Sequence, residues 1–243
     1  MTSAYGNMSN SVRHRNFYNE AWRVVAWNAT ARSGEHDFSD QAKANQFKLV
    51  KEECEELFDA AKANDRVEML DAICDIFVVA SYAVFLESKG SRGYDSLLSR
   101  LSFREPQKSD SHLSLLDLDD YLYNQKSVNY IYQWAVKALC VFDANTMGGL
   151  LEVLSSNDSK FPRLTELVDA QREEMYLGKD GSDPIEIEAQ RLNEEHKGRY
   201  EGITGNQINT NGSELDGRVV FRDSNNKIMK PLTFRPASLL KFV

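Results

Sequence analysis

The sequence is short of cysteine, of basic charge and of long apolar runs, and each shortage narrows what the protein does. Its 243 residues hold three cysteines. Cys54, Cys74 and Cys140 are odd in number and sit in apolar, helix-like runs without metal-ligand spacing. They offer no disulfide framework and read as reduced core residues of a cytoplasmic protein. Lys and Arg number 29 against 37 Asp and Glu, a formal net charge of -8, which disfavours the broad phosphate-backbone contacts of non-specific nucleic-acid binding. No polynucleotide partner is expected, whereas a small phosphorylated ligand stays open. The start, MTSAYGNMSNSVRHR, lacks the apolar stretch of a signal peptide, and the longest apolar run, Ile76 to Leu86, is too short to span a bilayer. A soluble protein without a membrane partner is expected. Internal repeats and low-complexity tracts are absent too.

What is present is ordinary globular composition, 42% hydrophobic and 27% charged, enough for one good-sized domain or a domain with an extension. Phe17, Tyr18, Ala21, Trp22, Val25 and Ala26 recur at three- and four-residue steps and predict a first helix from Val12 to Arg32. Ser39 or Asp40 caps a second, whose stripe is Phe47, Val50, Cys54, Leu57, Phe58 and Ala61, and Asn64 and Asp65 break it. A third runs from Arg66 to Glu87, apolar nearly all round after Asp71, and Gly90 and Gly93 end it. FREPQKSDSHLS reads as a loop. Leu115 to Phe142 resumes helical spacing, broken near Asn124 to Asn129, and a short helix with a polar turn follows around Glu152. Beyond it only a charged helix, Ile185 to Glu195, stands out. GRVVFRD, SNN and KIMKPLTF then predict a hairpin of two β-prone runs about a turn. The expected fold is all-α, a four-to-five-helix bundle with a small C-terminal β-hairpin. Its helical domain covers 1–160, with an insertion at about 88–145, and 161–243 is an extension.

The second and third helices pose a physical question, because carboxylates are costly to bury. Glu53 and Glu56 share a face of one helix, and Glu68, Asp71 and Asp75 form a row along the other. The short link makes the helices antiparallel neighbours, so the rows can face each other. Converging carboxylates stay ionised only with cations between them, and oxygen ligands without His or Cys suit a hard divalent ion, Mg²⁺ being usual beside phosphates. Blander explanations exist for single residues. A run of four acids, Glu52, Glu53, Glu55 and Glu56, is more often a solvated face, and Asp65 to Glu68 fits a capping box. Asp75 is harder to dismiss, flanked as it is by Ala72, Ile73, Cys74, Ile76, Phe77 and Val78. Phe17, Trp22 and Trp27 could stack a base, but aromatic residues at helical spacing are more often core.

The pattern E-E-x-x-E-L from Glu52 to Leu57, followed by E-x-x-D-x-x-x-D from Glu68 to Asp75, resembles the MazG-like all-α nucleoside triphosphate pyrophosphohydrolases. That superfamily also holds phosphoribosyl-ATP pyrophosphohydrolases and dimeric dUTPases. EVLSSNDSK, Glu152 to Lys160, is similar to the V-x-x-S-N-x-S-K motif of phage and bacterial MazG-like proteins, and the tail NKIMKPLTFRPASLLKF is similar to the end of the same subgroup. Residues 88–145 have no counterpart in that pattern.

The resemblance implies Mg²⁺-dependent hydrolysis of nucleoside triphosphates, dNTPs foremost, to monophosphate and pyrophosphate, in nucleotide-pool control. Mn²⁺ is the alternative ion. Carried over by position, Glu53, Glu56, Glu68 and Asp71 match the metal ligands, Asp75 is a further acid, and Glu52 or Glu53 would orient or deprotonate the water. Lysines should offset the remaining phosphate charge: Lys160 first, with Asn157 and Ser159 as donors, then Lys227 and Lys230. As an ordinary surface residue Lys160 would need no such role. Two alternatives remain, a dimeric-type dUTPase or phosphoribosyl-ATP pyrophosphohydrolase, and a non-catalytic interaction protein on the same bundle. A homodimer or homotetramer is expected, because so apolar a third helix needs covering surface. The subgroup points to a phage source, with a cytoplasmic location in the host.

Overall fold

The computed structural model describes residues 10–32, 35–89, 92–95, 98, 114–142, 145–174, 183–208, 217–225 and 227–243, with side chains from Phe17 onward. The predicted loop 103–114, apart from Ser114, and Gly90 lie outside the described residues. The architecture is all-α with one small antiparallel ribbon. It divides into two compact units, one of Met1–Asn28, His36–Val153 and Ser238–Val243, the other of Ala29–Glu35 and Leu154–Ala237.

In the first unit, helices α1 (Asn10–Ala31), α2 (Asp40–Ala63) and α3 (Arg66–Glu87) lie close to the predicted ranges, although Ala26 of the predicted α1 stripe is exposed and Val24 is buried instead. The Ser39 hydroxyl caps α2, accepting the Ala42 N–H at 3.1 Å. Asn64 ends it in the left-handed conformation with φ 55°, one that Asn tolerates better than most residues. Asp65 then starts α3 by accepting the Val67 and Glu68 N–H groups at 3.0 and 3.1 Å. Only two residues separate the helices, so they lie antiparallel. The buried side of α2 holds Gln46, Val50, Cys54, Leu57 and Ala60, whereas Phe47, Phe58 and Ala61 of the predicted stripe are half-buried. Gln46 takes an inward place because its amide nitrogen donates to the Val79 carbonyl of α3 at 2.9 Å.

Helix α3 is buried at every position from Ala80 to Leu86. As a whole it is long and apolar enough to cross a membrane, with mean hydropathy 2.0 in its most apolar window, yet 72% of that window is buried inside the protein. The uninterrupted run 76–86 had concealed this length. Much of its apolar surface is covered within the chain. Phe17 of α1 meets Phe77 at 5.9 Å, and Trp22 lies edge-on to Tyr94 at 4.9 Å. The helix stops before either predicted glycine, with Lys89 left-handed at φ 56°.

Helix α4 (Leu115–Asp119) runs into a π-turn, Asp120–Asn124, and after the predicted break α5 spans Val128–Val141. Tyr132 of α5 packs on Phe77 at 5.6 Å, so residues without a counterpart in the family pattern form part of the bundle's core. Helix α6 (Thr146–Asp158) begins where the Thr146 hydroxyl donates to the Leu139 carbonyl. Gly149 lets it approach α3, since a Cβ there would lie 3.0 Å from Leu70.

The second unit contains α7 (Leu164–Glu173), α8 (Pro184–Glu195), β1 (Thr204–Gln207) and β2 (Val219–Arg222). Leu167, Leu192, Ile203, Val219, Phe221 and Met229 form its core. The predicted hairpin is corrected in its partner: β2 pairs with β1, in register Gly205 to Phe221, and meets the 227–234 run through one bridge, Arg222 to Ile228. The turn between them exists, its N–H groups at Asn225 and Lys227 held by the Asp223 carboxylate. Pro231 has no N–H with which to extend that ladder. Helix α7 was missed, although Leu164, Leu167, Val168 and Gln171 keep helical spacing and the Glu166 carboxylate accepts the Arg163 N–H at 2.9 Å. In β1, a Cβ on Gly205 would lie 2.4 Å from Ile185 and 2.5 Å from the Phe221 ring. Neither is the free end of a flexible chain, so Gly205→Ala should cost about 1–3 kcal/mol. A melting temperature equal to that of the parent protein would refute that close approach.

Candidate functional site

Of the side-chain rows on α2 and α3, Glu53, Asp71 and Asp75 lie close enough to act on one another electrostatically. Glu53 is half-buried and turned towards α3, where Asp71 and Asp75 are half-buried as well. Burial pushes the Glu53 carboxyl up to about 8, and the charges of Asp75, Glu56, Asp71 and Glu52, in that order, push it the same way. Four negative groups from two helices therefore bear on one carboxyl. Next to it, burial lifts the Cys54 thiol to about 12, with Glu53 and Glu55 adding to the effect. Burial also raises the Cys74 thiol, together with Asp75 and Asp71. Both cysteines stay protonated, inert packing residues.

The remaining acids face outward. Glu52 is exposed and pairs with Lys48 at 3.8 Å, one helical turn earlier. Glu55 pairs with Lys51 at 3.5 Å and accepts the Tyr123 hydroxyl at 2.8 Å. Glu56 is exposed, and so is Glu68, in the first turn of α3, where a carboxylate is favoured by the unpaired N–H groups. The run of four acids thus divides by helical phase, Glu52 and Glu55 to the solvated side and Glu53 to the neighbouring helix.

Tyr123 was not foreseen as a neighbour of these acids. Lys51 lies 5.5 Å from its ring centre, so the π-turn after α4 reaches the outer face of α2. No local signal marks a contact 68 residues apart in sequence. His36 was missed as well: its Nδ1 is 3.1 Å from the Tyr82 hydroxyl, and its ring lies edge-on to Phe85 at 4.6 Å. Of the aromatic residues considered for base stacking, Phe17 is 2% exposed, and Trp22 donates its indole N–H to Asp95 at 3.2 Å.

The predicted substrate-binding residues all fall in the second unit, and most of them gather. Lys160 donates to the Asn157 side chain at 2.7 Å. The Ser159 hydroxyl accepts the Arg235 N–H at 2.9 Å. Lys160 and Lys230 lie 5.9 and 4.7 Å from the centre of the Phe234 ring. The Ser-Asn motif and the tail therefore form one basic cluster around an aromatic ring. Lys227 stands apart, over Tyr200 at 4.9 Å.

The donor chemistry of the α2–α3 carboxylates fits a hard divalent cation. The ligand atoms are all oxygen, and the proton retained by Glu53 marks the charge crowding that such an ion relieves. Among the described residues no three His, Cys, Asp or Glu side chains converge tightly enough to hold one ion as they stand. What the structure shows is a set of neighbouring carboxylates rather than a closed coordination shell.

Residues 29–88 match the family model of phosphoribosyl-ATP pyrophosphohydrolase. The matched segment takes in the whole of α2 and α3 and is similar to that family, which is part of the MazG-like all-α NTP pyrophosphohydrolase superfamily. No curated protein and no solved structure matches the chain. The family match supports a nucleotide pyrophosphohydrolase activity, an acid-anhydride hydrolysis, and it falls on the helix pair that carries the crowded carboxylates.

Proposed function

We propose that the protein hydrolyses nucleoside triphosphates, dNTPs foremost, to the monophosphate and pyrophosphate with Mg²⁺ or, alternatively, Mn²⁺. The observation that carries this reading is the Glu53 carboxyl held at about 8 by burial and four acidic neighbours, inside the segment that matches a pyrophosphohydrolase family. Glu53, Glu56, Asp71 and Asp75 would hold the ion, and Glu68, one turn before Asp71, would join on a small side-chain movement. The ion would supply charge screening for the phosphates and a bound water of lowered pKa.

The other steps fall to the chain's own groups. Glu53 is the better candidate than Glu52 to orient or deprotonate water. Glu52 is exposed and paired with Lys48, whereas Glu53 is half-buried beside Asp71 and Asp75. Tyr123 and Lys51 fix Glu55 away from the row. The Asn157, Ser159, Lys160 and Lys230 cluster is proposed as a phosphate-binding element on its chemistry, two ammonium groups beside hydroxyl and amide groups. Lys227 has a weaker claim, being engaged on Tyr200.

The family match favours a second substrate, phosphoribosyl-ATP, in which the same phosphoanhydride bond would be cut. A panel of NTPs, dNTPs and phosphoribosyl-ATP with Mg²⁺, assayed for pyrophosphate against orthophosphate, separates the two readings. Pyrophosphate from dNTPs supports the first, and release from phosphoribosyl-ATP alone supports the second. Absence of pyrophosphate from every substrate would defeat both. Lys160→Ala in the same assay should raise KM about tenfold or more for the loss of one charge-assisted hydrogen bond, and an unchanged KM returns Lys160 to an ordinary surface lysine.

A further inference from the structure

The net charge of -8 is a sum over two unlike stretches of chain. From Lys197 onward eight basic residues stand against four acidic ones, the reverse of the overall balance. Binding of a charged partner answers to the local distribution of charge rather than to its sum. In the second unit, folding gathers several of these cations around two aromatic rings. Tyr200, between α8 and β1, has the Arg199 guanidinium 5.2 Å and the Lys227 ammonium 4.9 Å from its ring centre. Phe234 has Lys230 at 4.7 Å and Lys160 at 5.9 Å.

Neither ring is lost in the core. Tyr200 and Phe234 are half-buried, while Arg199, Lys227 and Lys230 are exposed. Among the described residues no carboxylate forms an ion pair with any of these three cations. Asp223, the acid nearest to Lys227 in sequence, is 6% exposed, and its carboxylate accepts the Asn225 and Lys227 N–H groups. Tyr200 packs on the core of the unit, and His196 lies edge-on to it at 5.4 Å, so the ring is held in place while part of it stays open. The run 227–234 joins the two clusters. Lys227 and Lys230 are three residues apart, at most about 10 Å between Cα atoms, which is the length of about three stacked nucleotides of one strand at ~3.4 Å each.

We propose that this part of the second unit binds single-stranded nucleic acid, with Tyr200 and Phe234 as stacking platforms for bases and Arg199, Lys227, Lys230 and Lys160 as phosphate contacts. A base stacked on either ring brings its own phosphates within reach of the cations beside that ring. Stacking paired with charge in this way holds single strands without sequence preference. A lone phosphate would fill one cluster and leave the other idle, and an acidic peptide would leave both rings unused. A duplex keeps its bases stacked on each other and away from the rings. The site needs no metal and does not rest on the carboxylate pair. It shares Lys160 and Lys230 with the phosphate-binding element above, whereas Tyr200 and Arg199 are its own.

Fluorescence anisotropy of a labelled oligothymidylate, titrated with the full chain in the presence of a metal chelator and without nucleoside triphosphate, tests this apart from any hydrolysis. Binding should be measurable at low salt and weaken as sodium chloride is added. The slope of log affinity against log salt should be about -2 or steeper, ~0.7 for each phosphate contact. Lys227→Gln and Lys230→Gln, both at exposed positions, should each flatten that slope by about 0.7. Tyr200→Leu should instead weaken binding about fivefold or more at an unchanged slope, since stacking releases no counterions. Phe234→Leu should do the same at the second platform, and a cooperative melting curve for each variant shows that its fold is kept. Overturning outcomes are no binding at low salt, a slope near zero, slopes unchanged in both glutamine variants, and affinity unchanged in both leucine variants. Equal affinity for a duplex of the same length would overturn it too, as would polyglutamate competing as well as unlabelled oligothymidylate, which would mark an acidic protein as the partner.

Discussion

Asp71→Asn should lower pyrophosphate release by on the order of 100-fold or more, the scale of the charge stabilisation that a bound divalent ion supplies. The substitution keeps the size of the side chain and removes its negative charge. Asp71 is half-buried on α3 and is one of the charges that hold the Glu53 proton in place. Two consequences should therefore appear together. Mg²⁺ affinity, titrated without nucleotide, falls with turnover, because a carboxylate ligand has gone. The Glu53 carboxyl drops back towards its ordinary value, because one repelling neighbour has gone. A variant that merely unfolds would lose its cooperative melting curve and titrate Glu53 at its ordinary value, whereas the folded variant keeps the curve and a Glu53 carboxyl still raised by burial and the remaining acids, so melting and nuclear magnetic resonance titration together separate loss of function from loss of fold. Parent-like turnover in Asp71→Asn would remove the carboxylate site from the mechanism.

Glu53→Gln should change how stability depends on pH, and the direction follows from the raised carboxyl. Unfolded, Glu53 gives up its proton near 4.5, and folded it holds the proton to about 8. Between those values the folded chain binds more protons than the unfolded one, so this group's contribution falls as pH rises through the window and levels off above it. Glutamine resembles the protonated acid and carries no such dependence. With metal chelated, the variant should match the parent near pH 5 and exceed it by a few kcal/mol near pH 9. Added Mg²⁺ should close the gap at pH 9 by stabilising the parent alone, since mass action rewards the state that binds. Denaturant unfolding at the two pH values, with and without Mg²⁺, reads all of this. Parallel stability profiles for parent and variant would mean that Glu53 is not crowded by its neighbours.

Much of the helical framework was legible in the sequence because its signals are local. Ser39, Asn64 and Asp65 mark helix ends through hydrogen bonds to backbone groups two to four residues away, and the order of residues suffices to reveal them. Helical phase likewise put Glu53 on the side facing Asp71 and Asp75. The all-α class and the family resemblance of residues 29–88 rest on the same short-range patterns.

Other features were settled only by contacts between distant segments. Gln46 belongs to the core because Val79 offers it a carbonyl, and polarity alone would have put it outside. Strand β1 reads as the polar run Thr-Gly-Asn-Gln and becomes a strand because Phe221 and Ile185 close over Gly205. Tyr123 reaches Glu55 across 68 residues. Within the run of four acids, the sequence determined that carboxylates lie on α2, and the tertiary structure decided which of them face solvent and which face α3. Glu52 and Glu55 pair with lysines one turn away at the surface, while packing against α3 half-buries Glu53 beside Asp71 and Asp75 and raises its carboxyl pKa. A carboxyl's charge state depends on solvent and on neighbouring charges, and folding is what assigns both.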